Sequence, residues 1–219
     1  RRILERALSV LVAKQDEFVD EIVRETGKSQ TEALAVEVLP ACDSLQFYAK
    51  RARRILADRT VPLHLLKSKK LRISYRPMGV VGIITPWNFP FVLALNPTVQ
   101  ALVAGNAVLL KPSEATPFSG RLIQTLLEEA GLPENVFQLL LGDGETGAAL
   151  VESGVDKISF TGSIDTGRRV AEGCARRLIP CTLELGGKDP MVVCADADLD
   201  RAASGAVFGA FINAGQACI

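Results

Sequence analysis

Chemistry-bearing residues gather in five short stretches of this chain. Cys218 follows Asn213-Ala214-Gly215-Gln216-Ala217, small and turn-forming residues that leave a substrate room to reach sulfur. A thiolate is intrinsically nucleophilic and becomes more available where local dipoles lower its pKa; an inert thiol in a permissive turn fits the same residues. Glu184 stands between leucines, just before Gly186-Gly187. A carboxylate in apolar surroundings has a raised pKa, which suits a general base, although a strand-end glutamate paired with Lys188 is the alternative. Asn88, in Pro86-Trp87-Asn88-Phe89-Pro90, offers a side-chain amide to an oxyanion, or simply holds a proline-flanked turn.

Two further stretches suit a nucleotide. Phe160-Thr161-Gly162-Ser163-Ile164-Asp165-Thr166-Gly167 runs from a strand into a helix. Its glycines let the backbone approach a phosphate, and a helix N-terminus presents free N–H groups. The spacing is Gly-x-x-x-x-Gly, not the three-glycine dinucleotide fingerprint, so a plain turn capped by Ser163 remains open. Lys111-Pro112-Ser113-Glu114 closes another strand. There a lysine can donate to ribose hydroxyls and a glutamate accept from them, and the carboxylate repels a 2′-phosphate, favouring NAD over NADP. Taken alone, this stretch also reads as a solvated loop pair.

The elements that must position these groups are an alternation of strands and helices. Val80–Ile84, Ala107–Leu110, Val136–Leu139 and Lys157–Phe160 read as apolar strands. Helices are expected over Val92–Ala104, Ser119–Ala130, Glu145–Glu152 and Ser163–Arg177. Short apolar strands separated by helices predict a parallel sheet covered on both faces. Ahead of them, Ile3 to Asp58 reads as helices, with Leu4, Leu8, Leu11 and Val12 on one face and Leu34, Val38, Leu45 and Tyr48 on another. Val61–Leu66 and Leu71–Arg76 predict a β-hairpin turning at Lys67–Lys70, with His64 as a strand residue. Pro190–Val193 reads as a strand and Leu199–Phe211 as a helix.

Composition sets the outer bounds. The 219 residues carry 25 basic and 25 acidic side chains, with no basic stripe for nucleic acid. Apolar runs are broken well before membrane-spanning length. Five dispersed cysteines without a Cys-x-x-Cys pair, and a single histidine, argue against a metal site and for reduced thiols in a cytoplasmic setting. Cys42, Cys174, Cys181 and Cys194 lie in apolar or helical contexts and read as inert. The first residues look like the middle of a helix whose native start lies upstream.

In order, Thr85-Pro86-Trp87-Asn88-Phe89-Pro90, Lys111-Pro112-Ser113-Glu114, Phe160-Thr161-Gly162-Ser163, Leu183-Glu184-Leu185-Gly186-Gly187-Lys188 and Asn213-Ala214-Gly215-Gln216-Ala217-Cys218 closely resemble the NAD(P)-dependent aldehyde dehydrogenase superfamily. The resemblance implies a Rossmann-like open parallel sheet with helices on both faces, N-terminal helices and a β-hairpin from a bridging element. It implies that Cys218 attacks an aldehyde, that the Asn88 amide and the Cys218 N–H hold the oxyanion, and that Glu184 activates water against the resulting thioester. It implies that Lys111 and Glu114 bind the adenine-side ribose, that Gly162 and Ser163 lie at the pyrophosphate with Gly167 inside the helix start, and that Ser113 and Gly167 belong to the cofactor-binding set. The Leu185 backbone would meet the nicotinamide end, and Ile84, Thr85, Pro86 and Trp87 would line the cofactor cleft.

Members of that superfamily are about twice this length. The expected organisation is therefore a cofactor-binding domain over 1–186, with the hairpin at about 60–77, and an incomplete start of an α/β catalytic domain over 187–219. An isolated piece of this kind is expected to be inactive, and its parent to be a homodimer or homotetramer acting on a small-molecule aldehyde. Two rivals stand beside this reading: a cofactor-binding module without catalysis, and an acylating relative that passes the thioester to coenzyme A. Glu184 counts against the second, since such relatives commonly lack that base.

Overall fold

A computed structural model describes residues 1–218. The chain opens with helices α1 (Arg2–Ala13), α2 (Gln15–Thr26) and the short α3 (Gln30–Glu32), which runs through a π-helical segment (Ala33–Val38) into α4 (Leu39–Ile55). The buried stripe of α1 is Leu4, Ala7 and Leu11, while Leu8 is half-buried and Val12 exposed. The expected face was thus displaced by one small residue, Ala7, that periodicity of large side chains overlooks. A similar correction applies further on. Leu34 is exposed, and the buried positions are Ala33, Glu37, Val38, Ala41 and Leu45. The cause is the π-turn: the Leu39 amide donates to the Leu34 carbonyl five residues back, which inserts one residue and rotates the face.

β1 (Arg59–Val61) pairs antiparallel with β2 (Leu71–Ile73), Arg59 opposite Ile73. The hairpin is shorter than expected because Pro62, which has no N–H to donate, ends β1. His64 consequently lies in an exposed bend of the connecting loop and is not a strand residue.

The main sheet holds β3 (Val80–Ile84), β4 (Ala107–Lys111), β5 (Phe137–Leu139), β6 (Lys157–Gly162) and β7 (Cys181–Leu185), ordered β5-β4-β3-β6-β7 and parallel throughout. Strands enclosed on both faces read as continuous apolar runs, which is why these were legible. On one face Val81, Ile83, Val108 and Leu110 join the N-terminal helices, α5 (Val92–Val103) and α6 (Pro117–Glu129) in one core. On the other, Ile84, Ile158 and Phe160 pack with α7 (Gly144–Glu152) and α8 (Ile164–Arg177).

Beyond β7 the chain takes no regular structure until α9 (Leu199–Phe211), whose first turn is capped by Asp198 accepting from the Arg201 N–H at 3.1 Å. The strand expected over Pro190–Val193 does not form: the segment finds no ladder partner among the described residues, and an unpaired apolar run gains nothing from being extended. No residue of α9 is buried, and Phe208 and Phe211 stand exposed.

Candidate functional site

Sheet topology fixes where the site must lie. From β3 the chain moves outward through β4 to β5, then returns to β6 on the opposite side of β3. Connections leaving β3 and β6 in opposite directions open a crevice at their carboxyl ends, the usual ligand position in open α/β sheets. A cleft of about 790 Å³ opens there. It runs from Lys111, Ser113 and Glu114 at one end, past Ile84–Trp87 and Gly162–Ser163, to Asn88, Gln216 and Cys218 at the other.

At the β4 end, Lys111 is buried and its Nζ lies 3.1 Å from Glu114 Oε2. A hydrogen bond from its own backbone amide, and then the Lys111 ammonium, hold the Glu114 carboxyl below the usual carboxylate range. Glu114 is therefore an ionised acceptor in the neutral range. At the β6 end, Ser163 caps α8, its Oγ accepting from the Thr166 N–H at 3.3 Å. The first turn of α8 thus faces the cleft with its dipole positive end. Two observations fit the cleft to a nucleotide. Thr85 Oγ1 is buried there with no hydrogen-bond partner among the described residues. A Cβ added to Gly147, on the α7 wall, would meet only Ile84 and Lys111 side-chain atoms, both at 4.0 Å.

Gly167, inside the start of α8 as expected, packs against Leu185 of β7. Gly167 and Leu185 do not line the cleft. A Cβ on Gly167 would come within 2.6 Å of Leu185 Cδ2, so this glycine lets α8 approach β7 closely. Glu184 is exposed on edge strand β7, opposite Thr161, and only Gly186 of its stretch reaches the cleft wall. Its alternation with Leu183 and Leu185 is that of a strand with one packed face, so the apolar surroundings expected around its carboxylate are not there in this chain.

The Asn88–Cys218 end of the cleft is assembled across long sequence separations. Asn88 Nδ2 donates to the Gln216 carbonyl at 2.8 Å and lies 3.6 Å from Cys218 Sγ. Cys218 is exposed, reached by a turn in which Asn213, Ala214 and Gly215 all have left-handed φ values of 53°, 56° and 75°. Left-handed backbone at two non-glycine residues costs about 1–2 kcal/mol each and persists only where surroundings enforce it. Here the enforcing contacts are those of Asn213, whose N–H donates to Glu32 Oε1 and whose Nδ2 donates to the Asn88 carbonyl, both at 2.9 Å. By contrast Cys174 is buried, and burial pushes its thiol up to about 11. Burial also pushes the Cys42 thiol up.

Sequence motifs missed several residues. Glu152 of α7 and Arg176 of α8, paired at 2.6 Å, and Arg169 wall the cleft but belong to no short motif. Lys28 and Glu37 hold the Asn88 loop, and Asn213, inside the Cys218 stretch, carries contacts that the stretch did not announce. A signal existed for Glu37, which occupies the buried i, i+4 stripe Ala33, Glu37, Ala41, Leu45, where a carboxylate needs a reason. Among the described residues no cluster of His, Cys, Asp and Glu is arranged to hold a metal ion, and no helix is long and apolar enough to cross a membrane.

Comparison with known proteins gives a consistent result. The profile of the aldehyde dehydrogenase family matches residues 1–219. A 4,4'-diapolycopene aldehyde oxidase of Methylomonas sp is 47% identical over 211 residues, covering 95% of this chain and 40% of that protein. The structure of a Mycobacterium tuberculosis aldehyde dehydrogenase complexed with NAD+ superimposes with a TM-score of 0.93 at 34% identity, over 99% of this chain and 44% of that one. An E. coli NADP dependent enzyme superimposes with a TM-score of 0.92 at 36% identity, over 99% and 45%. The chain thus spans about two fifths of the length of the curated relatives it matches.

Proposed function

The chain belongs to the aldehyde dehydrogenase family, and on that footing we propose that it carries the cofactor cleft and nucleophile of an enzyme that oxidises an aldehyde to a carboxylic acid with NAD. The observation that carries this reading is the Asn88 Nδ2–Cys218 Sγ approach of 3.6 Å at one end of a cleft whose other end holds Lys111 and Glu114.

As the thiolate, Cys218 Sγ bonds to the aldehyde carbon, and the carbonyl electron pair moves onto oxygen. Asn88 Nδ2, already within reach of sulfur, donates to that oxyanion together with the Cys218 N–H. Bound NAD would supply the hydride acceptor, and the charge that Asn88 and the Cys218 N–H hold on oxygen would favour loss of hydride from that carbon to leave a thioester on Cys218. Lys111 and Glu114 would hold its adenine-side ribose, the α8 N-terminus with Gly162 and Ser163 its pyrophosphate, and Ile84–Trp87 would line its path. Glu184 then takes a proton from water as the water oxygen attacks the thioester and Cys218 departs as thiolate. The ionised Glu114 supports a preference for NAD, because a 2′-phosphate would meet like charge. The exposed β1–β2 hairpin is the candidate pairing element of a homodimer or homotetramer.

The test is aldehyde-dependent NADH formation alongside calorimetric titration with NAD. Cys218→Ser is expected to abolish NADH formation and leave NAD binding within about twofold. Undiminished turnover in Cys218→Ser would remove the nucleophile from the scheme. Binding without turnover in the wild type would leave a cofactor-binding unit.

A further inference from the structure

We propose that Lys28 and Glu37 are positioning residues that hold the Asn88 loop against the Cys218 loop; the inference rests on the Asn88–Cys218 reading above and deepens it. The two side chains are 4% and 0% exposed and paired at 2.7 Å. Glu37 Oε2 accepts from the Phe91 and Val92 amides at 3.1 and 2.9 Å, so the carboxylate caps α5 from a different helix. Lys28 Nζ turns its remaining capacity to the Asn88 carbonyl at 2.9 Å and sits 4.9 Å from the centre of the Phe89 ring. The pair thus grips the Asn88 loop at three successive points: the peptide carbonyl of Asn88, the ring of Phe89 and the amides of Phe91 and Val92.

The nucleophile loop reaches the same junction. Asn213 Nδ2 donates to the Asn88 carbonyl at 2.9 Å, beside the Lys28 ammonium, and to the Gln216 carbonyl at 3.1 Å. The Asn213 N–H donates to Glu32, whose carboxylate in turn closes the capping box with Ser29, next to Lys28. One carbonyl oxygen, that of Asn88, is therefore the meeting point of the helical junction and both reactive loops. With its backbone fixed there, the Asn88 side chain is left to place Nδ2 between the Gln216 carbonyl and Cys218 Sγ.

Stability alone does not account for the pair. Taking two charges out of water costs about as much as their attraction returns, and apolar replacements of similar volume are often no less stable. Burial pushes the Glu37 carboxyl up against the opposing pull of Lys28 and the two amides. Glu37 lies within the π-helical segment, and such turns recur at functional sites. A pair that is energetically neutral but fixes two loops makes sense where a misplacement of about 1 Å between reacting groups costs about a hundredfold in rate.

The experiment is a double-mutant cycle on the full chain. Alkylation of Cys218 by iodoacetamide is followed by mass spectrometry from pH 6 to 9 in wild type, Asn88→Ala, Lys28→Met and the combination. Asn88→Ala removes the amide within reach of sulfur and is expected to slow labelling at pH 7 about tenfold. Lys28→Met should do the same in the wild-type background and less than about twofold more in the Asn88→Ala background. An equal effect of Lys28→Met in both backgrounds, or an unchanged Cys218 profile, overturns the proposal while leaving Asn88–Cys218 intact. A silent Asn88→Ala instead overturns the site reading on which it rests. Circular dichroism checks the fold. Where Lys28→Met does not fold, Lys28→Met/Glu37→Gln, which leaves no unpaired buried charge, is run through the same cycle with the same expectations, and Lys28→Arg is expected to restore the wild-type profile.

Discussion

Gly167→Ala offers a test in which the sign of the effect depends on a single neighbour. Gly167 is buried in the second turn of α8, its amide bonded to the Ser163 carbonyl at 2.8 Å. An added Cβ would lie 2.6 Å from Leu185 Cδ2 and 3.2 Å from Cδ1, an overlap of about 1 Å with comfortable carbon–carbon contact. Overpacking of this size costs about 1–3 kcal/mol, reduced where the struck atoms end a flexible side chain. Alanine gains about 1 kcal/mol over glycine inside a helix. The sum is a net loss of about 1 kcal/mol. In a Leu185→Ala background the obstruction is gone, and the same substitution should stabilise by about 0.4–1 kcal/mol. Urea unfolding followed by the fluorescence of Trp87, the single tryptophan, reads both numbers. Gly147→Ala is the control, since its Cβ meets nothing closer than 4.0 Å. It should stabilise by a similar amount in either background, yet weaken NAD binding by putting a methyl group into the cleft wall. If Gly167→Ala shifts stability equally with and without the Leu185 side chain, close packing of α8 on β7 is not why a glycine stands there.

Two more outcomes rest on the charges. Glu114→Gln removes the carboxylate that opposes a 2′-phosphate at an exposed rim, so the ratio of NAD to NADP affinity should fall about tenfold, measured by calorimetry. Hydrogen bonding from Ser29, chiefly its backbone amide, outweighs desolvation and holds the Glu32 carboxyl below 4.5. The unfolded chain therefore binds the proton first as pH falls, so this group's contribution is present above 4.5 and lost below it. Melting temperatures between pH 3 and 6 should decline less steeply in Glu32→Gln than in wild type.

Much of the sheet was legible for a simple reason. Val80–Ile84 and Lys157–Phe160 are covered on both faces, so their apolar runs need no knowledge of what covers them. The cleft was legible through the same topology, because Thr85, Lys111 and Ser163 each stand at the carboxyl end of a parallel strand. Elements that depend on a partner were not. Pro190–Val193 has the composition of a strand but finds nothing to pair with among the described residues, and the hairpin stops where Pro62 withdraws an amide. The N-terminal faces failed for a third reason: their buried stripes are built largely on small or charged side chains, Ala7, Ala33, Glu37 and Ala41, which a search for large apolar residues passes over, and a π-turn shifts the face by one residue at Leu34.

The same distinction separates the parts of the site. Cys218, Asn88 and the Lys111–Glu114 pair announce themselves because their chemistry is local: residue type and the two or three neighbours suffice. What brings Asn88 to Cys218 is not local. Their sequence separation is bridged by Asn213 bonding to Asn88 and Glu32, and by Lys28 and Glu37 bonding to the Asn88 loop. Asn213 lies inside the Cys218 stretch, but nothing in its neighbourhood assigns it this contact, and Glu32, Lys28 and Glu37 belong to no short motif. What marks Lys28 and Glu37 is physical: each is a charge with nowhere to hydrate, and such a charge persists only where several partners converge on it. Buried charge on which several partners converge is therefore a signal for supporting residues that motif spacing does not carry.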